Sequence, residues 1–379
     1  MPISWFSFFM AVLWFSIFTL LLYVFSRRTA FILRFGLLPL FCLIVTSLVR
    51  LLFSYDFRFS KVISSYKLIP ALESALQKPL LAAGGAAATG LDLLVALWLS
   101  VAAILLLRLL LRYVRLARTV RRLPRVDLPG LRALLARAGI PGAELAFSER
   151  TGIPFMTGFF RPVAVLPARD YDEDALADIL AHEARHFLSH DLWIKLLVNL
   201  VCCVFWWNPA SYLLRRVCER TMELRCDGRV SAQFTEEARR HYFGTILSFY
   251  RDLQERQAAL PGAPVCAASF VVPEKDWEVL QRFRFGLRHG RTRNRLTAAG
   301  LCAAVLLLFL ASYAVIFQPA YPSPTEEDGY EIYTVTLDGS YLVKNPDGTY
   351  NLFIDGEDKG TFKSIAVEPF ASMPIKNGD

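Results

Sequence analysis

From Ile3 to Ser26 the chain reads ISWFSFFMAVLWFSIFTLLLYVFS, with no charged side chain anywhere in the run. A helix needs roughly 20 apolar residues to cross about 30 Å of hydrocarbon, so this segment is long enough to span a bilayer. It has no basic stretch before it and no small-residue cleavage site after it, so a retained helix is expected rather than a removed targeting peptide. The whole chain fits this start: 54% of its 379 residues are hydrophobic and 20% charged, with mean hydropathy +0.37. Ordinary soluble domains are more charged and less apolar.

Three further spans are expected. Residues 30–54 carry Arg34 and Arg50 near their ends, where both can snorkel, and Pro39 between, which membrane helices tolerate. Residues 91–111 and Thr297–Phe317 are the other two. The first hairpin carries Arg27 and Arg28, the third span exits through seven arginines from Arg108 to Arg125, and Arg288, Arg291, Arg293 and Arg295 precede the fourth. The positive-inside rule puts these on the cytoplasmic face and both termini outside. The expected layout is residues 1–124 as three membrane helices with an external loop at 55–90, then 125–295 as a cytoplasmic domain. Residues 296–318 form the fourth span and 319–379 a small external domain. The tail after Phe317 holds eleven acidic residues and four lysines, so the rest of the chain is more basic than its formal net charge of +8 suggests. Because the arginines flank apolar spans instead of interleaving with aromatics in a folded module, nucleic-acid binding is not expected. The partner expected of these arginines is the lipid bilayer. No cysteine lies in the predicted external segments and no CxxC pair is present, which argues against a disulfide framework or a thiolate metal site.

Chemistry concentrates within the cytoplasmic stretch. Asp172 to His186 reads as a helix with an acidic first turn and an apolar stripe of Leu176, Ile179 and Leu180. Residues four apart share a helix face, so His182 and His186 can present two imidazoles to one metal. Glu183 then stands beside that metal, placed to take a proton from water, as in the H-E-x-x-H zinc hydrolases. Such sites need a third protein ligand. Downstream, Glu223 and Asp227 are four apart on a second helical stretch, Glu223 as the carboxylate ligand and Asp227 as acceptor for the free ring N–H of a ligating histidine. Glu219, a turn earlier, is the alternative ligand, its other reading being an ion pair with Arg215 or Arg216. His190 continues the histidine face but reads as a surface residue, as do His241 and His289. Tyr171, Tyr212, Tyr242 and His241 are available as oxyanion donors, and nothing in the sequence chooses among them. Between the two helices, Leu192 to Trp207 is too short to span comfortably. It is expected to pack on the core of the cytoplasmic stretch or dip into the inner leaflet, with Trp206 and Trp207 at the interface.

His182-Glu-Ala-Arg-His186 followed by Glu223-Leu-Arg-Cys-Asp227 is the gluzincin pattern. With Gly158-Phe-Phe-Arg-Pro-Val-Ala-Val-Leu-Pro167, Asp191 and Trp207-Asn208-Pro209, the chain resembles the M56 family of bacterial membrane metallopeptidases, the family of the β-lactam-responsive sensor-transducers, over roughly residues 1–317. The resemblance implies His182, His186 and Glu223 as ligands of Zn2+ and Glu183 as catalytic base. It implies the stretch Pro162 to Leu166 as the edge strand along which an extended substrate lies, the plain alternative being a core strand. It also implies a cytoplasmic protein substrate, such as a transcriptional repressor or the protease itself.

The tail departs from the sensors. Tyr330–Leu337, Ser340–Lys344, Thr349–Ile354 and Gly360–Val367 are short strand-like runs separated by Asp-Gly turns, which predict a small antiparallel sheet of three or four strands. The aspartates are turn residues, without the spacing of a calcium loop. A tail of about sixty residues cannot hold a penicillin-binding domain, and the tail contains no S-x-x-K motif, so covalent β-lactam sensing is not expected. An unidentified extracellular ligand or a passive cap is expected instead.

The sequence therefore describes an α-helical membrane protein of four transmembrane helices in the bacterial cytoplasmic membrane. It carries a cytoplasmic α+β gluzincin metalloprotease domain and a small C-terminal antiparallel β extracellular domain. The expected activity is zinc-dependent endopeptidase cleavage of a cytoplasmic protein in transmembrane signalling. The alternatives are a catalytically silent receptor or scaffold and a housekeeping membrane-protein protease. Nothing in the sequence sets an oligomeric state.

Overall fold

The computed structural model describes residues 5–55, 60–65, 68–83, 86–127, 130–149, 151–259, 276–288, 295–319, 339–346, 348–362, 370 and 373–377. The chain forms two compact units, Met1–Pro319 and Ala320–Asp379. Among the described residues, two helices are long and apolar enough to cross a membrane alone, or up to four spans if each bent helix pair counts as one.

Helix α1 (Trp5–Arg27) is the first uncharged run and ends on its first charge. The second expected span is broken into α2 (Thr29–Phe35) and α3 (Leu38–Leu52), bent by 102°. Gly36, at φ +75°, stops α2 and donates its N–H to Ile32 O at 2.8 Å, a left-handed position that costs a Cβ-bearing residue energy. Pro39 lies in the first turn of α3, where its missing N–H costs nothing, and not in the middle of a span. The loop expected at 55–90 contains β1 (Lys61–Ser65), α4 (Leu68–Gln77) and a hairpin of β2 (Pro79–Ala83) and β3 (Ala86–Thr89).

Helix α5 (Gly90–Arg122) opens on a capping box between Thr89 and Asp92 and runs 33 residues. At 1.5 Å per residue it is about 50 Å long, so it carries the third apolar stretch and continues through the arginines that follow. The sequence reading ended this element near Leu111; arginine is a strong helix former, and the basic stretch prolongs the helix.

Next come α6 (Leu131–Arg137), β4 (Glu144–Ser148), β5 (Phe155–Thr157) and β6 (Val163–Pro167). The sheet order is β4-β6-β5, with β6 parallel to β4 and antiparallel to β5. This corrects the edge-strand expectation for Pro162 to Leu166: β6 is the central strand, paired on both sides and buried at every residue. The edge beside the following helix is β5, against which α7 (Glu173–Leu188) packs. Leu176, Ile179, Leu180 and Ala184 of α7 close one core with Leu145, Ala164 and Leu166 of the sheet and Leu131 and Leu135 of α6.

Helices α8 (Asp191–Val204) and α9 (Pro209–Val230) join a different core. Val198, Val201, Phe205, Leu214, Val217 and Met222 are buried with Phe15, Phe18 and Leu22 of α1 and Leu40, Leu43 and Leu48 of α3. Asn208, in the turn between α8 and α9, donates from Nδ2 to Ser16 Oγ at 3.1 Å, near the midpoint of α1. Trp98 Nε1 donates to Val204 O at 2.5 Å, and Trp206 Nε1 to Trp98 O at 3.4 Å. Trp206 therefore meets the apolar half of α5 and not its basic end.

The unit closes with α10 (Glu236–Ala259), α11 (Asp276–Arg288), α12 (Arg295–Ala311) and β7 (Val315–Pro319). The expected fourth span is shorter than the sequence reading, because Val315 to Pro319 leave the helix and pair in parallel with β1. Tyr313 at the break donates its hydroxyl to Phe53 O at 3.0 Å.

In the second unit, β8 (Ser340–Lys344), β9 (Tyr350–Ile354), β10 (Glu357–Phe362) and β11 (Ile375–Asn377) form one sheet in the order β10-β9-β8-β11. The first three are antiparallel as expected, while β11 runs parallel to β8. Asp355 and Gly356 join β9 to β10 with φ +52° and +84°, the two positive values that an Asp-Gly hairpin turn requires. The run Tyr330–Leu337 and the end of the Gly360–Val367 run lie outside the described residues.

Candidate metal centre

Asp172 caps α7, its side chain accepting from Ala175 N at 2.6 Å, and Glu173 and Asp174 complement the helix dipole. Asn208 caps α9 in the same way, with Pro209 in the first turn. With the apolar side of α7 on the sheet and that of α9 on α1, the polar faces of the two helices meet.

At the meeting point His182 Nε2 and His186 Nε2 lie 3.2 Å apart. Glu223 brings Oε2 to 3.4 Å from His182 Nε2 and Oε1 to 3.4 Å from His186 Nε2. These three residues form a group able to hold a metal ion. The spacing suits zinc: ligand bonds of about 2.0–2.1 Å at tetrahedral angles place donor atoms about 3.3 Å apart. Two imidazoles and one carboxylate also match the donor set of three-ligand zinc sites. Glu183 is buried beside the cluster. Glu219, the alternative ligand, is not in the group, and Arg216, one of the two partners expected for it, pairs with Glu278 at 3.1 Å.

The other ring nitrogens are held too. His186 Nδ1 is 2.7 Å from Asp191 Oδ2, and Asp191, almost fully buried, is ion-paired with Arg225. His182 Nδ1 is 2.7 Å from Tyr242 Oη and 3.3 Å from Asp227 Oδ1, and the Tyr242 hydroxyl donates to Asp227 at 3.0 Å. Asp227 accepts from Arg282 Nε at 2.7 Å and Nη2 at 3.0 Å, and Arg282 also lies 3.4 Å from Glu223. Tyr242 is thus the nearer acceptor for this ring nitrogen, and Asp227, the acceptor expected from the sequence, is the farther one. Burial works against protonating His182, but its hydrogen bonds with Asp227 and Glu223 outweigh burial and push its pKa up to about 10 in the metal-free protein. Desolvation likewise opposes ionisation of Asp227, yet the Arg282 charge and the His182 bond bring its pKa down to about 2.

The oxyanion candidates are engaged elsewhere. The Tyr171 hydroxyl donates to Pro167 O at 2.8 Å and that of Tyr212 to Trp206 O at 3.0 Å, while His241 pairs with Asp178 at 3.0 Å. His190 leaves the histidine face altogether: α7 ends at Leu188, and His190, exposed at φ +58°, turns the chain into α8. His289 lies outside the described residues. Sequence reasoning missed the roles of Arg225 and Arg282 and the contact of Cys226 Sγ with His186 Nδ1 at 3.3 Å. The one available signal was Asp191, five residues beyond His186.

The family model described as BlaR1 peptidase M56 matches residues 11–268. The regulatory protein BlaR1 of Bacillus licheniformis is 28% identical over 120 residues, covering 31% of this chain and 20% of that protein. The methicillin resistance mecR1 protein of Staphylococcus aureus is 28% identical over 89 residues, 23% of this chain and 15% of that protein. The chain therefore aligns with a fifth or less of these curated relatives' length. The family match covers well over half of this chain, which belongs to the M56 peptidases.

Proposed function

We propose that this M56 metallopeptidase is a zinc-dependent endopeptidase of the bacterial cytoplasmic membrane that cleaves a cytoplasmic protein as the output of a transmembrane signal. The observation that carries the reading is the convergence of His182 Nε2, His186 Nε2 and the Glu223 carboxylate within zinc-ligand spacing, with Glu183 next to them on α7. These three residues would hold the ion, which when bound supplies Lewis acidity to a peptide carbonyl and to water. Glu183 takes a proton from the attacking water on its carboxylate and returns it to the departing amide nitrogen. Asp191 and the Tyr242–Asp227 pair hold the histidine rings so that Nε2 faces the ion.

The substrate strand is assigned to β5, the edge beside α7, in place of the central β6. An extended polypeptide added there gains main-chain hydrogen bonds largely independent of its sequence. By analogy with the relatives called regulatory and methicillin resistance proteins, the substrate is a transcriptional repressor or the chain itself. The arginines of α1 and α5 support an orientation with residues 125–295 in the cytoplasm and both termini outside, where the β8–β11 sheet is available to an external ligand. The test is Glu183→Gln. Purified variant should retain zinc at the wild-type ratio while cleavage of itself or of a co-expressed repressor falls at least about a thousandfold, since a neutral amide cannot accept the proton. Wild-type cleavage by this variant would refute the mechanism.

A further inference from the structure

Where α1 reaches its first charge, a cavity of about 110 Å³ opens between α1, α9 and α11, lined by Tyr23, Arg27, Arg216, Val217, Arg220, Trp277 and Glu278. The lining holds three guanidinium groups and one carboxylate. Each guanidinium is held in place by its neighbours. Arg220, almost fully buried, donates from Nε to Gln281 Oε1 at 2.8 Å and also bonds Ser26 O. Arg216 is tied to Glu278, and Arg27 Nη1 donates to the Tyr23 hydroxyl at 3.0 Å. The Trp277 ring packs against two of them, with Arg220 4.2 Å and Arg27 5.3 Å from its centroid. Three guanidinium groups against one carboxylate make the lining itself net positive.

Preorganised guanidinium groups suit the oxygens of a phosphate, to which they donate in pairs. The source of that phosphate follows from the surface beside the cavity. Phe9, Leu13, Leu20 and Val24 of α1 are all exposed, and at these spacings they form one stripe along the helix that ends one turn before Arg27. An acyl chain lying along that stripe brings its headgroup to Arg27. We propose that Arg27, Arg216 and Arg220 form a binding site for the phosphate of an anionic phospholipid whose chains lie along α1. Basic pockets between membrane helices are suited to such headgroups.

The site also touches the metal centre's surroundings. Gln281, which fixes Arg220 and donates to Thr29 Oγ1, precedes Arg282, the residue that holds Asp227. A headgroup seated here would hold the first turn of α11, one turn before Arg282.

The test uses full-length protein, delipidated in detergent and supplied with phosphatidylglycerol or phosphatidylcholine, with bound lipid counted by native mass spectrometry. Phosphatidylglycerol should be retained in preference to phosphatidylcholine, and millimolar inorganic phosphate should not displace it. The double variant Arg27→Gln, Arg216→Gln should lower retention about tenfold or more, and Glu278→Gln, which removes the competing carboxylate, should raise it. Because Arg216 helps to seat α11, Arg27→Gln alone, at an exposed position, is the decisive variant. A folded Arg27→Gln protein with wild-type retention overturns the site. Equal retention of the two lipids, or displacement by inorganic phosphate, overturns the assignment to an anionic lipid.

Discussion

The Nδ1 atoms of His182 and His186 both face acceptors that can hold a proton there, which would leave each Nε2, on the side of Glu223, for a metal ion once its own proton is displaced. For His186 the acceptor is one charged group, Asp191, whereas His182 has both Tyr242 and Asp227. Asp191→Asn should therefore weaken zinc binding about ten- to a hundredfold, and Tyr242→Phe by less, because Asp227 Oδ1 is already 3.3 Å from the same nitrogen. Competition with a chromophoric chelator measures both. A pH dependence follows from the same residues. His182 has its pKa raised from 6.5 to about 10 in the metal-free protein, so its charged form stabilises that state fully below 6.5, and the contribution fades as pH rises through 10. Zinc must displace that proton, so binding should release protons at pH 7 and tighten as pH rises, by roughly tenfold per unit for each proton lost. Calorimetry in buffers of different ionisation enthalpy counts the protons, and uptake without release would contradict the assignment. The ligand set was legible in the sequence because His182 and His186, and Glu223 and Asp227, are each four residues apart on one helix. Tyr242 and Arg282 were not, since they come from α10 and α11, and no local spacing relates them to α7.

At the scale of elements, α11 depends on a close approach that only glycine permits. A Cβ on Gly286 would fall 1.8 Å from Cζ of Phe243, a buried ring on α10. Gly286→Ala should cost about 1–3 kcal/mol through overpacking, and it should also lower zinc content, because Arg282 one turn earlier would shift from Asp227 and Glu223. Thermal unfolding and metal analysis on the same sample test the two parts, and unchanged zinc content in a destabilised variant would separate α11 from the site. Hydropathy revealed α1 and α5 because each is a long apolar run, a property of its own residues. The 102° break at Gly36 was hidden because the apolar run continues through it, while one backbone angle decides the direction. The place of β6 in its sheet was equally hidden. A strand bounded by prolines reads as an edge, but β4 and β5 flank it through pairings fixed by tertiary topology.

For the whole molecule, the consequence lies in which residues share a core. The stretch 125–295 reads as a soluble domain tethered to spans, yet α9, which carries Glu223 and Asp227, buries Leu214, Val217 and Met222 against α1 and α3. Its partner α8 leans on α5 through Trp98 and Val204, and Asn208 bonds Ser16 halfway along α1. One face of α9 thus holds the metal ligand while the other belongs to the apolar bundle, so the bundle contributes to the stability of the ligand set. Movement of α1 relative to α9 would reach Glu223 through a single helix, without a linker, and this suits a protein that responds to events across a membrane. A fragment of residues 125–295 alone would expose that face of α9 and lose Ser16 as partner of Asn208 and Ser26 as partner of Arg220. Each fully buried leucine or methionine returned to water costs about 1.5–3 kcal/mol, and several together exceed a large part of a typical domain's stability. The fragment should therefore aggregate or bind zinc substoichiometrically, whereas residues 1–319 in detergent should bind one zinc per chain. A soluble, monomeric 125–295 fragment with a full complement of zinc would show that the metal centre is built by residues 125–295 alone.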